Sequence, residues 1–399
     1  MTSCADDGPG SLRQVVANNQ TQSGDTIDLS QIQCATITLS TGAIDIPQND
    51  LTLRGPGATR LTIDATGSRL FTQAAGRLHI DGSKLSGGTY HAAGPAHGGC
   101  ILGAADVYLS HTEVSNCSVT SDTGIAAGGA VFAKDITLVA SRVSDSEAAS
   151  STGVAYGGGV AATHGVLAKY STLSNNRAEP GTADTSDGGA IYAAEYASVI
   201  ASTIDHNTAS IASGIHAGLT IDMSESTVSG NLSTQCCALM AAGAYGIAIS
   251  NSTVAFNHTA ENGRAAVYFK GTMVSGSVSL QSSILANNTA GANLDPGDLL
   301  VIGAFVEGAD NLVMSANAPL PPGVVIETAD PLLGELGANG GTTQTHALGR
   351  GSPARDRGNN SDGASFDQRG IGYPRETGSS ASVDIGAFQF DSVFAATFE

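Results

Sequence analysis

The chain has no tryptophan, and only 5 % of its 399 residues are aromatic and 13 % charged. Such a composition excludes a core built on large rings, so small and β-branched side chains must fill it; 51 glycines and abundant Ala, Ser and Thr fit that need. Basic residues are scarce, with 17 Lys and Arg against 36 Asp and Glu and a net charge of −19. That charge repels nucleic acid and anionic membrane surfaces, and it disfavours polyanionic glycans unless Ca²⁺ or a local basic patch intervenes. No run approaches the length of a transmembrane helix. No apolar leader follows Met1, which is read as a start placed after a removed leader. Helical periodicity is nearly absent beyond the N-terminus. No CxxC or HxxxH spacing occurs and the nine His show no ligand pattern, so no metal is inferred.

What the chain does have is a phrase that returns about every thirty residues: Gly98-Gly99-Cys100-Ile101, Gly128-Gly129-Ala130-Val131, Gly157-Gly158-Gly159-Val160 and Gly188-Gly189-Ala190-Ile191. A fixed period of this size marks a repeat architecture in which each unit is one turn stacked on its neighbours. A second phrase runs through Val114-Ser115-Asn116-Cys117, Val143-Ser144-Asp145-Ser146, Leu173-Ser174-Asn175-Asn176, Ile204-Asp205-His206-Asn207, Val228-Ser229-Gly230-Asn231, Val254-Ala255-Phe256-Asn257 and Leu285-Ala286-Asn287-Asn288. Between the phrases lie short apolar runs such as Val107-Tyr108-Leu109, with hydroxyl and β-branched residues suited to pleated strands. The fold class predicted is all-β, a single right-handed parallel β-helix. Asn recurring at one corner predicts an internal ladder of amides, broken where Cys117 and Ser146 share its register; the rival reading is a row of glycan-reading amides.

The organisation predicted is an N-terminal cap with a short helix and first strands over 1–48, coils over 49–290, and final coils with an irregular cap over 291–399. Ser11-Leu12-Arg13-Gln14 has the Ser-x-x-Gln pattern of a capping box, with Leu12, Val15 and Val16 on one apolar face. Six cysteines, an even number, argue for an oxidising compartment. Cys4 with Cys34 brackets the helix; Cys100, Cys117, Cys236 and Cys237 complete a set whose connectivity the sequence leaves open.

The GGA[IV] phrase with its following xxxN resembles the repeats of chlamydial polymorphic membrane proteins, which are secreted β-helix adhesins; that family has Phe where this chain has Val, Leu or Ile. The ends look like the bacterial choice-of-anchor secreted β-helix proteins. The opening likeness is carried by Gly10-Ser11-Leu12-Arg13, Gly24-Asp25-Thr26-Ile27-Asp28 and Leu53-Arg54-Gly55-Pro56-Gly57-Ala58. Its closing counterpart is carried by Asp330-Pro331-Leu332-Leu333-Gly334, Asn339-Gly340-Gly341-Thr342-Thr343-Gln344-Thr345-His346-Ala347-Leu348, Asp367-Gln368-Arg369-Gly370 and Asp384-Ile385-Gly386-Ala387-Phe388. Val393 to Glu399 is similar to a short tail on exported proteins of Gram-negative bacteria. The resemblance implies a secreted or cell-surface protein and supplies no catalytic residues. Asp367 and Arg369 are expected to form a buried ion pair that holds the cap.

Residues 85 to 300 carry sixteen Asp or Glu against six Lys or Arg, which favours a neutral polysaccharide or a basic protein partner there, or simply solubility. Only the stretch with Arg54, Arg60, Arg69, Arg77 and Lys84, and the group Arg350, Arg355 and Arg357, are locally basic. Variable loops between xxxN and the next Gly-Gly are expected to stack on one side and line a lateral groove. The residue before Gly-Gly changes from His97 to Ala127, Tyr156 and Asp187, and His216 follows two before Gly218. These four titratable or aromatic residues, His97, Tyr156, Asp187 and His216, are the candidate catalytic stripe. Glu179, Asp184 and Glu195 are candidate second carboxylates for a glycosidase, and Lys134 and Arg142 candidate neutralisers for a lyase. The competing reading makes all of them solvated loop residues. None of the Asp-rich, Gly-His-Gly or Arg-x-Lys patterns of pectinase-like hydrolases is present. No cofactor is called; Asp295-Pro296-Gly297-Asp298 is the one place considered for Ca²⁺, and it reads first as a turn. The function expected is a monomeric exported module that binds an extended ligand, with a polysaccharide lyase or glycoside hydrolase as the alternative.

Overall fold

The structure is a computed structural model that describes residues 1–182, 185–243, 245–271, 276–376 and 383–390. They are all-β with about 2 % helix, and their stacked parallel strands form a β-solenoid of about 10 turns. Backbone contacts divide the chain into two compact units, Met1–Glu195 with His206–His216, and Tyr196–Asp205 with Ala217–Glu399.

In the first unit the turns build three parallel sheets, of which the third begins only at Thr89–Ala92. Sheet 1 stacks Asp50–Arg54, Arg77–Asp81, Asp106–Ser110, Val131–Val139 and Val160–Lys169. Sheet 2 stacks Thr36–Leu39, Thr62–Ala65, Lys84–Ser86, Glu113–Ser115, Arg142–Ser144 and Thr172–Ser174. Sheet 3 stacks Thr89–Ala92, Ser118–Ser121, Glu147–Ser150 and Arg177–Glu179, followed one turn later by Thr208–Ile211. This third sheet lies where the sequence suggests variable loops. Its strands are three or four residues of Ser, Thr, Glu and Ala with little apolar alternation, and they become strands because a parallel neighbour supplies their hydrogen bonds. Their inward positions are small, with Val119 and Ala148 fully buried beside Ala96, Ala126 and Ala155 of the two-residue strands that follow them.

Left-handed residues such as His111, Ala140 and Tyr170 turn the chain between sheets 1 and 2, and two further corners flank sheet 3. Before sheet 3, the third residue of the xxxN phrase enters the left-handed region, with φ of 55° at Asn116, 54° at Asp145 and 56° at Asn175. The fourth points inward, where Asn176 Nδ2 donates to Asn207 Oδ1 at 3.0 Å and the Asn176 backbone N–H donates to the same oxygen at 2.9 Å. Ser146 keeps the pattern with its hydroxyl, which accepts from the Cys117 N–H at 3.3 Å. Between sheets 3 and 1 sits Gly-Gly. A Cβ at Gly129 would lie 2.0 Å from Gly158 O, so this corner excludes any side chain.

The helix Leu12–Ala17 covers the strand Ile44–Ile46 with Leu12 and Val16 fully buried. Ser11 Oγ accepts from Gln14 N, and Gln14 Oε1 reaches back to Gly10 N at 3.0 Å, one residue earlier than a standard capping box. Disulfides join Cys4 to Cys34 and Cys100 to Cys117. Cys236 and Cys237, the remaining disulfide candidates, are buried thiols and are not bridged; Cys236 ends a strand and Cys237 follows it with φ of 47°.

The second unit repeats the plan. One sheet stacks Tyr196–Ile200, Thr220–Ser224, Gly246–Ser250, Ser277–Gln281 and Phe305–Ala309, and another stacks Thr203–Asp205, Thr227–Ser229, Thr253–Ala255 and Ile284–Ala286. The coil register therefore continues past residue 290, through Val313. An amide ladder runs Asn231, Asn257, Asn288 and ends on the Asp298 carboxylate, with side-chain steps of 2.9, 2.9 and 2.8 Å. The irregular cap then docks onto the second of those sheets. Gln368 Oε1 accepts from Thr227 Oγ1 at 2.6 Å, Thr203 Oγ1 donates to Gln344 O at 2.7 Å, and His346 Nε2 meets Ser229 Oγ at 2.8 Å. Arg369 pairs with Asp367 at 2.7 Å, with side chains 2 % and 0 % exposed. The expected ion pair is thus present inside the cap, between the rings of Tyr373 and Phe388.

Candidate functional site

The site is built where sheet 3 turns into sheet 1 in the first unit. Parallel pairing aligns His97 with Ala127, Ala127 with Tyr156 and Tyr156 with Asp187, one per turn. Five residues further along each turn, beyond Gly-Gly, a second column runs Leu102, Phe132, Ala161 and Tyr192. Alternation along these strands buries Ile101, Val131, Val160 and Ile191 and turns the next residue outward.

Because the glycine corner carries no side chain, the two columns close on each other. His97 stacks on Phe132 with centroids 4.3 Å apart and planes 23° from parallel. Tyr156 stacks on Tyr192 at 4.5 Å and 17°, and Tyr192 on His216 at 5.1 Å and 30°. Each pair joins a residue of one turn to a residue of the next, so the rings climb the corner as a ribbon, interrupted by Ala127 and Ala161. The sequence shows His97, Tyr156 and His216 in this stripe; Phe132 and Tyr192 complete it. Their signal was available in the outward position that follows GGAV and GGAI.

At the upper end, His216 Nδ1 lies 3.6 Å from Asp187 Oδ1. Neither atom is solvent-accessible and neither makes a hydrogen bond. Burial first, and then the Asp187 charge, pushes the Tyr156 phenol above its usual range. Tyr192 rises for the same leading reason, with Tyr156 and Asp187 adding to it. His97 is held low, mainly by burial and secondarily by Arg69. Tyr156, Tyr192 and His97 are thus all pushed toward their uncharged forms.

The remaining candidates lie elsewhere. Lys134 is 3.6 Å from Asp135 on sheet 1, and Glu195 is 3.5 Å from His164 Nε2, whose Nδ1 is 2.6 Å from Asp135. Arg142 belongs to sheet 2 and donates to Ser174 Oγ at 2.6 Å. Glu179 is on sheet 3, paired to Arg177 at 2.6 Å. Beside it Glu147 titrates high, through burial first and then the Glu179 carboxyl. Glu179 is engaged with Arg177 and Glu195 with His164, and Asp184 lies outside the described residues. Asp298, considered for Ca²⁺, accepts from Asn288 and Ser315 at 2.8 and 2.7 Å. No group of three or more His, Cys, Asp or Glu converges for a metal among the described residues, and no described helix is long and apolar enough to cross a membrane.

The chain matches no protein-family model, no curated protein and no solved structure.

Proposed function

We propose that this chain is an exported binding module that holds an extended, mainly neutral polysaccharide along the ring ribbon of its first unit. The observation that carries the reading is the pair of stacks, His97 on Phe132 and Tyr156 on Tyr192 and His216, set in register on successive turns. Turns of parallel sheet repeat at about 4.8 Å, a spacing of the same order as one sugar ring. Aromatic faces offer apolar contact at little entropic cost, and neighbouring hydroxyls satisfy the polar edges of a sugar. A charge of −19 favours a neutral chain over a polyanion. The likeness of both ends to secreted choice-of-anchor proteins, together with the two disulfides, supports export to the surface or medium of a Gram-negative bacterium.

A second reading has one observation behind it. The facing, unbonded atoms of Asp187 and His216 form a carboxylate–imidazole pair of the kind used for proton transfer, so a polysaccharide lyase or glycoside hydrolase acting in the same groove is the alternative. Against it, the neutral, upward-shifted Tyr156 is a poor base, and neither Lys134 nor Arg142 lies in the stripe.

A glycan array scored both for retention and for reducing-end or unsaturated products tests the two together. Retention without turnover is expected, with about a two- to tenfold loss on Tyr156→Ala or Tyr192→Ala from the roughly 0.5–1.5 kcal/mol typical of one ring contact. Turnover abolished by Asp187→Ala would replace the binding reading with the enzymatic one.

A further inference from the structure

Sheet 3 begins at Thr89–Ala92, where Thr89 N donates to Ser68 O. The turns below carry no strand of this sheet, and the step so formed holds a cavity of about 480 Å³ lined by Arg69, Thr89, Tyr90, His91, Ser118 and Thr120, among others. Its size falls within the range of roughly 300–1,000 Å³ usual for small-ligand sites. Four lining residues, Ser68, Thr89, Ser118 and Thr120, carry hydroxyls on short side chains, and Tyr90 offers a ring.

Arg69 is the unusual member. Its guanidinium carbon lies 3.3 Å over the centre of the Tyr90 ring. Nε donates to Gly98 O at 2.8 Å and Nη2 to His97 O at 2.7 Å. These bonds fix the group without neutralising it, and the Nη1 edge has no carbonyl or carboxylate acceptor among the described residues. Among the described residues no Asp or Glu lies within ion-pair distance of Arg69 either. Its neighbours differ: Arg77 reaches Asp106 at 3.5 Å and Lys84 reaches Glu113 at 2.6 Å. His91, on the cavity wall, faces Asp122 at 3.6 Å and Thr120 Oγ1 at 3.0 Å. A half-buried cation with no counter-ion among the described residues, in a chain carrying −19, is an electrostatic attractor for an anion. Burial draws the guanidinium below its usual range against the opposing effect of the Tyr90 side chain, and a bound anion would oppose it further.

We infer that this cavity takes the carboxylate of one acidic sugar residue at the end of an otherwise neutral glycan. The assignment rests on the polysaccharide reading above and deepens it. Arg69 bonds the carbonyls of His97 and Gly98, and His97 is the first ring of the ribbon, so the cavity adjoins the ribbon's lower end. One planar cation matches one planar monoanion; a dianionic phosphate would leave an excess charge in an acidic molecule. Thr89, Ser118 and Thr120 supply hydroxyl partners for the ring, and Tyr90 an apolar wall.

The test is calorimetric titration of the full chain with three probes: a trisaccharide of two neutral hexoses ending in a hexuronic acid, its methyl ester, and the all-neutral trisaccharide. The acid is expected to bind at least tenfold tighter than its ester, with the preference weakened by salt and abolished in Arg69→Gln. Since Arg69 also ties the corner, Ser118→Glu is the second variant; it sets a carboxylate on the cavity wall without touching those bonds and is expected to abolish the preference as well. Equal affinity of acid and ester for the wild-type chain overturns the inference. So does complete displacement of the acid by equimolar sulfate, which would make this a general anion site. Tyr156→Ala reports on the parent reading separately. It is expected to weaken all three probes alike; if it changes none while the acid preference persists, the ribbon falls and the cavity stands.

Discussion

Replacing Asn257 with alanine removes one rung of the amide ladder in the second unit. The side chain is 2 % exposed. Its Oδ1 accepts from the Asn231 backbone N–H at 3.0 Å and from Asn231 Nδ2 at 2.9 Å, while its Nδ2 donates to Val228 O at 3.0 Å and Asn288 Oδ1 at 2.9 Å. Alanine takes away the acceptor of a buried backbone N–H and a donor from a buried carbonyl. At about 1–3 kcal/mol for each buried polar group left unsatisfied, and with part of the ladder still bonded through the Asn257 backbone N–H, the expected loss is about 3 kcal/mol. Ser146 supplies the calibration. On the equivalent turn of the first unit its hydroxyl accepts from the preceding rung and donates to Ser144 O at 3.0 Å, so serine does half of the amide's work. Asn257→Ser should therefore cost about 1 kcal/mol. Urea unfolding of both variants, followed by circular dichroism and checked for a single transition, measures the order. Equal losses for serine and alanine, or an alanine variant within about 0.5 kcal/mol of wild type, would refute the view that the ladder stabilises through its hydrogen bonds.

Burial pushes the Glu225 carboxyl up to about 8, even with Arg375 Nη1 at 3.7 Å. A folded pKa above the unfolded value of 4.5 means a contribution that is complete at acid pH and is lost as the pH rises through about 8, on the order of 4 kcal/mol in all. Thermal melts should show the second unit weakening between about pH 4.5 and 8, and Glu225→Gln should flatten that limb. His346 acts in the opposite sense: burial holds it low, so its neutral form stabilises above its ordinary value of 6.5 and that contribution disappears on acidification, a limb that His346→Gln should remove in the same melts. Asp367→Asn leaves Arg369 buried without its charge partner and should cost about 3–5 kcal/mol, read from the urea midpoint. Reducing Cys100–Cys117, which closes 17 residues, should lower stability by about 3 kcal/mol; an unchanged midpoint after mass-verified reduction would count against that figure.

The turns were legible because their register is local. Gly-Gly and xxxN recur at one spacing per turn, and residues at the same offset from a repeated phrase must face one another when turns stack; His97, Ala127, Tyr156 and Asp187 follow from that alone. The strand content of segments such as Glu147–Ser150 was hidden, since it comes from a neighbouring turn and not from the apolar alternation of the segment itself. Tyr192 was missed although it obeys the same rule, its position lying across the glycine corner from the phrase being followed. The cap contacts have no period to betray them. Gln368 and Thr227 are 141 residues apart, and only the folded path brings an amide to that hydroxyl. Arg69 stands between these cases: its basic neighbourhood is visible in sequence, whereas the missing counter-ion is a fact of three dimensions.

The Asn231, Asn257 and Asn288 rungs also bear on how the number of turns can change. Each amide offers the turn below it the same acceptor that it takes from the turn above, so every joint in the series is interchangeable with every other. Duplicating a block of about thirty residues inserts a storey without requiring any new fit at either seam. Length is thereby a quantity that recombination can dial in whole increments, while the terminal Asp298, anchored by Ser315, serves as a stopper that need never be reinvented.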